Sequence, residues 1–136
     1  MICVDTTYLI DLWRQRNLAD ASTRTLLEMH SGEEIAVSAH AAGEFLEGGA
    51  TVSSDRLRDS LLFLRLFRIG EVGLETARHY ALIVARLRTE SLLQGLSKPD
   101  LWIAAWAIEH GAPLATRNVQ HFERIAGLQL LRYDSH

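Results

Sequence analysis

The chain has 136 residues, a net charge of −3 and a pI near 6.0, with 48 % hydrophobic and 23 % charged residues. That is the composition of one globular domain and excludes disordered, collagen-like and coiled-coil chains. Its apolar runs fall far short of the ~20 residues that span a bilayer, and a single cysteine, Cys3, excludes an internal disulfide framework and a cysteine zinc site.

Asp5 ends the short apolar start at once, so no signal peptide is expected and the default is a soluble, cytoplasmic protein. A nucleic-acid binder that works by bulk charge has a pI above ~9, so only a local basic patch remains open. Of the 14 basic residues, Lys98 is the one lysine and the rest are arginines.

In chain order, Ile2-Cys3-Val4 reads as a buried strand, and Asp5-Thr6-Thr7 as the cap of a helix over residues 8–15. A second helix is expected over residues 20–30, stopped by Ser31-Gly32. Ile35-Ala36-Val37 is the next strand, Ser38 a cap, and residues 39–47 a helix broken by Gly48-Gly49. Leu57, Leu61 and Leu64, spaced i, i+4 and i+7, mark a helix over residues 53–66. Residues 67–69 form a third strand. The longest helix covers residues 73–93, with Leu74, Ala77, Tyr80, Ala81, Val84 and Leu87 inward. Ser97 and Pro99 open a helix that runs to His110 and stops at Gly111. Residues 114–116 are a strand, 120–125 a short helix and 128–131 a last strand.

Strands alternating with helices imply an α/β fold with a short-stranded parallel sheet, rich in helix. No linker or repeat interrupts it, so one domain over residues 1–136 is expected. Ligands of such sheets bind beyond the carboxyl ends of the strands.

Three acids occupy comparable places there. Asp5 follows the first strand, Glu44 lies on the helix after the second, and Asp100 is in the first turn of the Ser97 helix. A parallel sheet gathers these positions on one edge. Carboxylates brought together raise one another's pKa, and a hard divalent cation relieves that repulsion. Mg²⁺ needs only one or two carboxylates plus water and phosphate oxygens. Phosphodiester hydrolysis is the chemistry that suits this arrangement. Each acid also has a plain structural explanation. Asp5 is a good helix cap, Glu44 shares a helical stripe with His40 and Glu47 that solvent can account for, and Ser97-x-x-Asp100 fits a capping box.

Three segments together resemble the PIN-domain ribonucleases, and within them the VapC-type toxins of bacterial toxin–antitoxin pairs. Residues 4–11, VDTTYLID, are similar to the family's hydrophobic-D-T-[NS]-x-L-I-D. Val37-Ser38 with Gly43-Glu44-Phe45 is similar to its central motif. Residues 100–107, DLWIAAWA, are similar to D-x-x-I-A-A-x-A, followed by Gly111, Leu114-Ala115-Thr116-Arg117-Asn118 and His121-Phe122. The resemblance spans essentially the whole chain.

The resemblance implies a PIN-like three-layer α/β/α fold and a Mg²⁺-dependent endoribonuclease, with Mn²⁺ as a substitute. Asp5, Glu44 and Asp100 would be its metal-binding acids. Asn118 takes the family's fourth polar position without bringing a charge, which puts a second metal in doubt, and Thr116 would orient a water or an acid. His121 stands where some relatives carry Asp; Asn118 is preferred over it. The resemblance further implies a homodimer and a VapB-type antitoxin whose carboxyl-terminal segment lies in a groove near the acids. Leu12, Trp13, Leu57 and Leu61 are apolar candidates for that groove.

Arg117 borders the expected site and is the phosphate-contact candidate. Trp102 and Trp106 are spaced for packing more than for stacking on bases, and Cys3 reads as a buried strand residue. Two readings compete with the ribonuclease: a PIN-fold binding module that has lost catalysis, and a nuclease acting on DNA, since no sequence feature here marks a reader of the 2′-hydroxyl. A phosphatase-like domain with Asp5 as nucleophile fits poorly, because Lys98 does not follow a late strand.

Overall fold

A computed structural model describes residues 1–18 and 21–134. Its chain order is β1 (Ile2–Val4), α1 (Thr6–Arg14), α2 (Ser22–Met29), β2 (Ile35–Ser38), α3 (Ala39–Val52), α4 (Ser54–Leu64), β3 (Arg68–Gly70), α5 (Leu74–Thr89), α6 (Lys98–Glu109), β4 (Leu114–Thr116), α7 (Val119–Phe122) and β5 (Leu130–Arg132). The first residue of the expected 20–30 helix lies outside the described residues.

All five strands are parallel, in the order β3-β2-β1-β4-β5. Every residue of β1 and β4 is buried. Short, continuously apolar strands are what a parallel sheet needs when helices cover both faces, and an α/β/α layering follows. The edge strands β3 and β5 are less buried.

From β1 the chain winds outward through β2 to β3, then returns to the other side of β1 for β4 and β5. The winding direction therefore reverses between β1 and β4. The crevice beyond their carboxyl ends is where an open sheet of this kind places its ligand.

Several expectations need correcting. The glycine pair does not end α3, which continues to Val52. A Cβ on Gly49 would lie 2.5 Å from Ser60 Oγ and 3.1 Å from the Arg56 carbonyl oxygen, so this glycine lets α4 pack close against α3. On α4, Leu61 is half exposed, and Ser60 and Leu64 are the buried residues. The α5 stripe is rotated: Leu74 is 87 % exposed and Ala81 is exposed, whereas Thr76 and Leu87 are buried. Thr76 points inward because its hydroxyl donates to Glu109 of α6.

Both tryptophans pack. Trp106 is buried with its indole N–H donated to the Glu71 carbonyl at 3.0 Å, and Trp102 stacks on Tyr80 with ring centroids 4.3 Å apart. Cys3 is buried and burial pushes its thiol up to about 12. Among the described residues no helix is long and apolar enough to cross a membrane.

Candidate active site

Asp5 is the first residue past β1, and it sits at the crevice between β1 and β4. Its backbone is extended, which makes it the N-cap of α1. Oδ1 accepts the Tyr8 N–H at 2.7 Å, and Oδ2 accepts the Thr116 hydroxyl at 2.7 Å. The capping and catalytic readings of Asp5 are thus compatible, since each oxygen keeps a second lone pair.

Asp5 is 2 % exposed. Burial pushes its carboxyl up to about 6; the two hydrogen bonds oppose this, and the nearby charges of Asp100 and Asp11 add to it. A carboxyl that ionises with this difficulty is a functional-site signal when it lies in a crevice.

Asp100 reaches the same corner from α6. Ser97 caps that helix, its Oγ accepting the Asp100 N–H at 3.2 Å. Burial raises the Asp100 carboxyl, while the Ser97 hydroxyl and the charge of His121 pull it back. His121, passed over in favour of Asn118 on sequence, is therefore near the acids.

Glu44 lies on α3 and is tied to the corner through Thr6, whose hydroxyl donates to Oε1 at 2.7 Å. His40, one turn earlier, brings Nδ1 to 3.8 Å from the same oxygen. His40 Nδ1 is buried and has no hydrogen-bond partner among the described residues. Thr6 had read only as part of a cap; its place beside Asp5 was the available clue to this role.

Thr116 ends β4 and links two parts of the site. Its hydroxyl donates to Asp5 and accepts the Asn118 N–H at 2.9 Å. Asn118 itself starts α7, with no side-chain cap bond. Arg117 does not stand free beside the acids: its Nε pairs with Asp11 Oδ2 at 2.8 Å, and the Tyr133 hydroxyl donates to the same oxygen at 2.9 Å. Tyr133 lies 122 residues from Asp11, and no local pattern points to the pair.

The donor groups are all oxygens, which suits a hard cation and not a soft one. No three His, Cys, Asp or Glu side chains among the described residues already surround one metal position. Asp5 and Asp100 nevertheless meet the one-or-two-carboxylate requirement of Mg²⁺, and Glu44 is held to Thr6 next to them. The residues present fit such an ion.

The four apolar groove candidates do not come together in one cavity. A cavity of about 220 Å³ lies between α1, α3 and α4, lined by Trp13, Phe45, Gly48, Arg56 and others, with Glu44 at its rim. Of the four apolar candidates only Trp13 lines it. Leu12 is core, and Leu61 belongs to a different, shallow apolar surface with Leu46 and Ile69.

The PIN domain family matches residues 2–128. The chain belongs to the PIN-domain family. Among curated PIN relatives it is 32 % identical to ribonuclease VapC1 of Methanocaldococcus jannaschii, over 98 % of this chain and 87 % of that one. It is 33 % identical to ribonuclease VapC1 of Rickettsia felis, over 98 % of this chain and 97 % of that one. Among solved structures, VapBC2 of Rickettsia felis bound to a DNA fragment from its promoter contains a chain that matches with a TM-score of 0.85. That chain is 25 % identical, with 98 % of this chain and 100 % of that one covered. The parallel sheet and its helices are the PIN fold that the sequence led us to expect.

Proposed function

We propose that this PIN-domain chain is the toxin of a toxin–antitoxin pair, an endoribonuclease that hydrolyses RNA phosphodiester bonds with Mg²⁺ or Mn²⁺. The observation that carries the reading is the buried corner where Asp5, Thr116 and Asp100 meet at the winding reversal. The names of its full-length relatives, ribonucleases VapC1, support the RNA substrate.

Asp5 and Asp100 would hold the ion, with Glu44 as the third acid. When bound, it would polarise a phosphoryl oxygen and lower the pKa of a water molecule. Thr116 fixes the orientation of the Asp5 carboxylate by donating to Oδ2, and Asn118 holds the Thr116 hydroxyl in that direction. Thr6 restrains Glu44. Asn118 adds an oxygen without a charge, so one ion suits this site better than two. Burial of the corner keeps bulk water from screening charge that develops on the phosphate.

The partner would be a VapB-type antitoxin, and the α1/α3/α4 groove with Glu44 at its rim offers an extended segment a seat beside the acids. We read the toxin as a homodimer that assembles with that antitoxin in the cytoplasm.

The test is cleavage of total cellular RNA by antitoxin-free protein with Mg²⁺ or Mn²⁺, with EDTA and Asp100→Asn as controls and product ends mapped. Discrete cuts that leave 5′-phosphate and 3′-hydroxyl ends, and vanish in both controls, are expected. A 2′,3′-cyclic phosphate end would rule out water attack. Failure to cleave, with no metal binding either, would favour a PIN-fold module that has lost catalysis. Cleavage of DNA alone would favour the DNA nuclease.

A further inference from the structure

One polar cavity adjoins the acid corner without sharing its acids. Its volume is about 430 Å³, and Arg117, Asn118, Gln120, His121, Glu123 and Arg132 line it. Its position follows from the sheet. Asp5 follows β1, Thr116 ends β4, and Arg132 ends β5 in register with Thr116. Neighbouring strands are ~4.8 Å apart, so the cavity opens one strand beyond the acids along the same carboxyl edge. His121, which lines it, lies close enough to Asp100 for its charge to act there.

Two guanidiniums, an imidazole and one carboxylate, Glu123, line this cavity, and Asp11 stands behind Arg117. Arg58, Arg78 and Arg86 each pair with an acid on their own helix, Asp55, Glu75 and Glu90. Arg132 is exposed and has no ion-pair partner among the described residues. Arg117 is paired from behind with buried Asp11 through Nε, and Tyr133 holds Asp11 in turn. Neither Nη of Arg117 has a hydrogen bond among the described residues. A guanidinium fixed at one edge and open at the other is pre-organised for an anionic oxygen pair.

We propose that this cavity is a phosphate-backbone subsite, in which Arg117 and Arg132 bind the phosphodiester next to the scissile one. The proposal rests on the ribonuclease reading above. A strand whose scissile phosphate lies at Asp5 and Asp100 must place its next phosphate to one side of them, and on this side Arg132 is without an ion-pair partner among the described residues and both Nη of Arg117 are open. Such contacts position the strand and do not read its sequence.

The test measures binding of a short fluorescent single-stranded RNA of mixed sequence in EDTA, across a series of salt concentrations. Neither metal nor cleavage enters that measurement. Each lost phosphate contact on a single strand flattens the slope of log K against log salt by about 0.7. Arg132→Gln and Arg117→Gln are each expected to weaken binding several-fold and flatten the slope by that amount, with the double variant at about twice it. Arg78→Gln, on exposed α5, is expected to match wild type. DNA of the same sequence is expected to show the same changes. Thermal melting checks each variant, and the exposed Arg132→Gln carries the test if Arg117→Gln, which strands Asp11, melts early. Unchanged slopes in a protein that cleaves RNA would overturn the subsite alone. A wild-type protein that neither binds nor cleaves RNA would overturn the ribonuclease reading with it.

Discussion

At Asp5 burial and hydrogen bonding pull in opposite directions, and burial wins. The carboxyl ionises near 3.8 in an unfolded chain and at about 6 in the fold. The folded state therefore holds the proton more tightly. Its contribution to stability is full below about pH 3.8 and is lost as pH rises through about 6. At neutral pH the ionised acid therefore costs stability. Asp5→Asn keeps an acceptor for the α1 cap and removes the charge. In the metal-free protein it is expected to raise stability above pH 6 by roughly 2–3 kcal/mol, a gap that closes as pH falls towards 3.8. Urea unfolding at several pH values measures it, and a gap independent of pH would mean that Asp5 is not the group responsible. The same substitution is expected to abolish RNA cleavage. Asp5, Glu44 and Asp100 were legible as candidates in the sequence, because strand ends and first helical turns are places where a parallel sheet collects side chains. The Asp11–Arg117–Tyr133 chain was not, since its members come from α1, the turn after β4 and the residue after β5.

Among the elements, α3 shows how one residue type plays two parts. Gly48 and Gly49 are adjacent, yet a Cβ on Gly48 meets nothing within 4 Å while one on Gly49 meets Ser60 and the Arg56 backbone. A helical glycine costs ~1 kcal/mol relative to alanine. Gly48→Ala is therefore expected to stabilise the protein by about 0.5–1 kcal/mol. Gly49→Ala pushes α4 away and is expected to destabilise it by about 1–3 kcal/mol. Chemical denaturation of the two variants decides it; equal effects would mean that the α3–α4 approach is looser than described. Apolar periodicity predicted that these helices exist, and it missed which glycine is a packing position. The same limit explains α5. Its true inner face includes Thr76, a polar residue that a hydropathy stripe passes over and that Glu109 satisfies across the helix pair.

For the whole molecule, strand order turns separate motifs into a site. Asp5, Thr116 and Arg132 lie far apart in the chain and side by side on one sheet edge, while α3 and α6 bring Glu44 and Asp100 to the same end. An ion bound only by the folded arrangement must stabilise it. Mg²⁺ or Mn²⁺ at about a hundredfold its Kd is expected to add ~2.7 kcal/mol, seen as a higher melting temperature that EDTA reverses and Asp100→Asn lacks. An unchanged melting temperature at saturating metal would remove the cation from the proposed chemistry.

By itself the sequence determined the class of fold, the succession of elements and the acids worth testing. Short apolar runs, caps and helical spacing are local properties, and the family motifs preserve their order along the chain. Only the tertiary structure decided that Asp5 shares a hydrogen bond with Thr116, that Thr6 restrains Glu44, that Arg117 is anchored by Asp11, and that Trp13 but not Leu61 lines the groove. Those outcomes depend on how strands are ordered and helices rotated, and both are set by packing between residues distant in sequence.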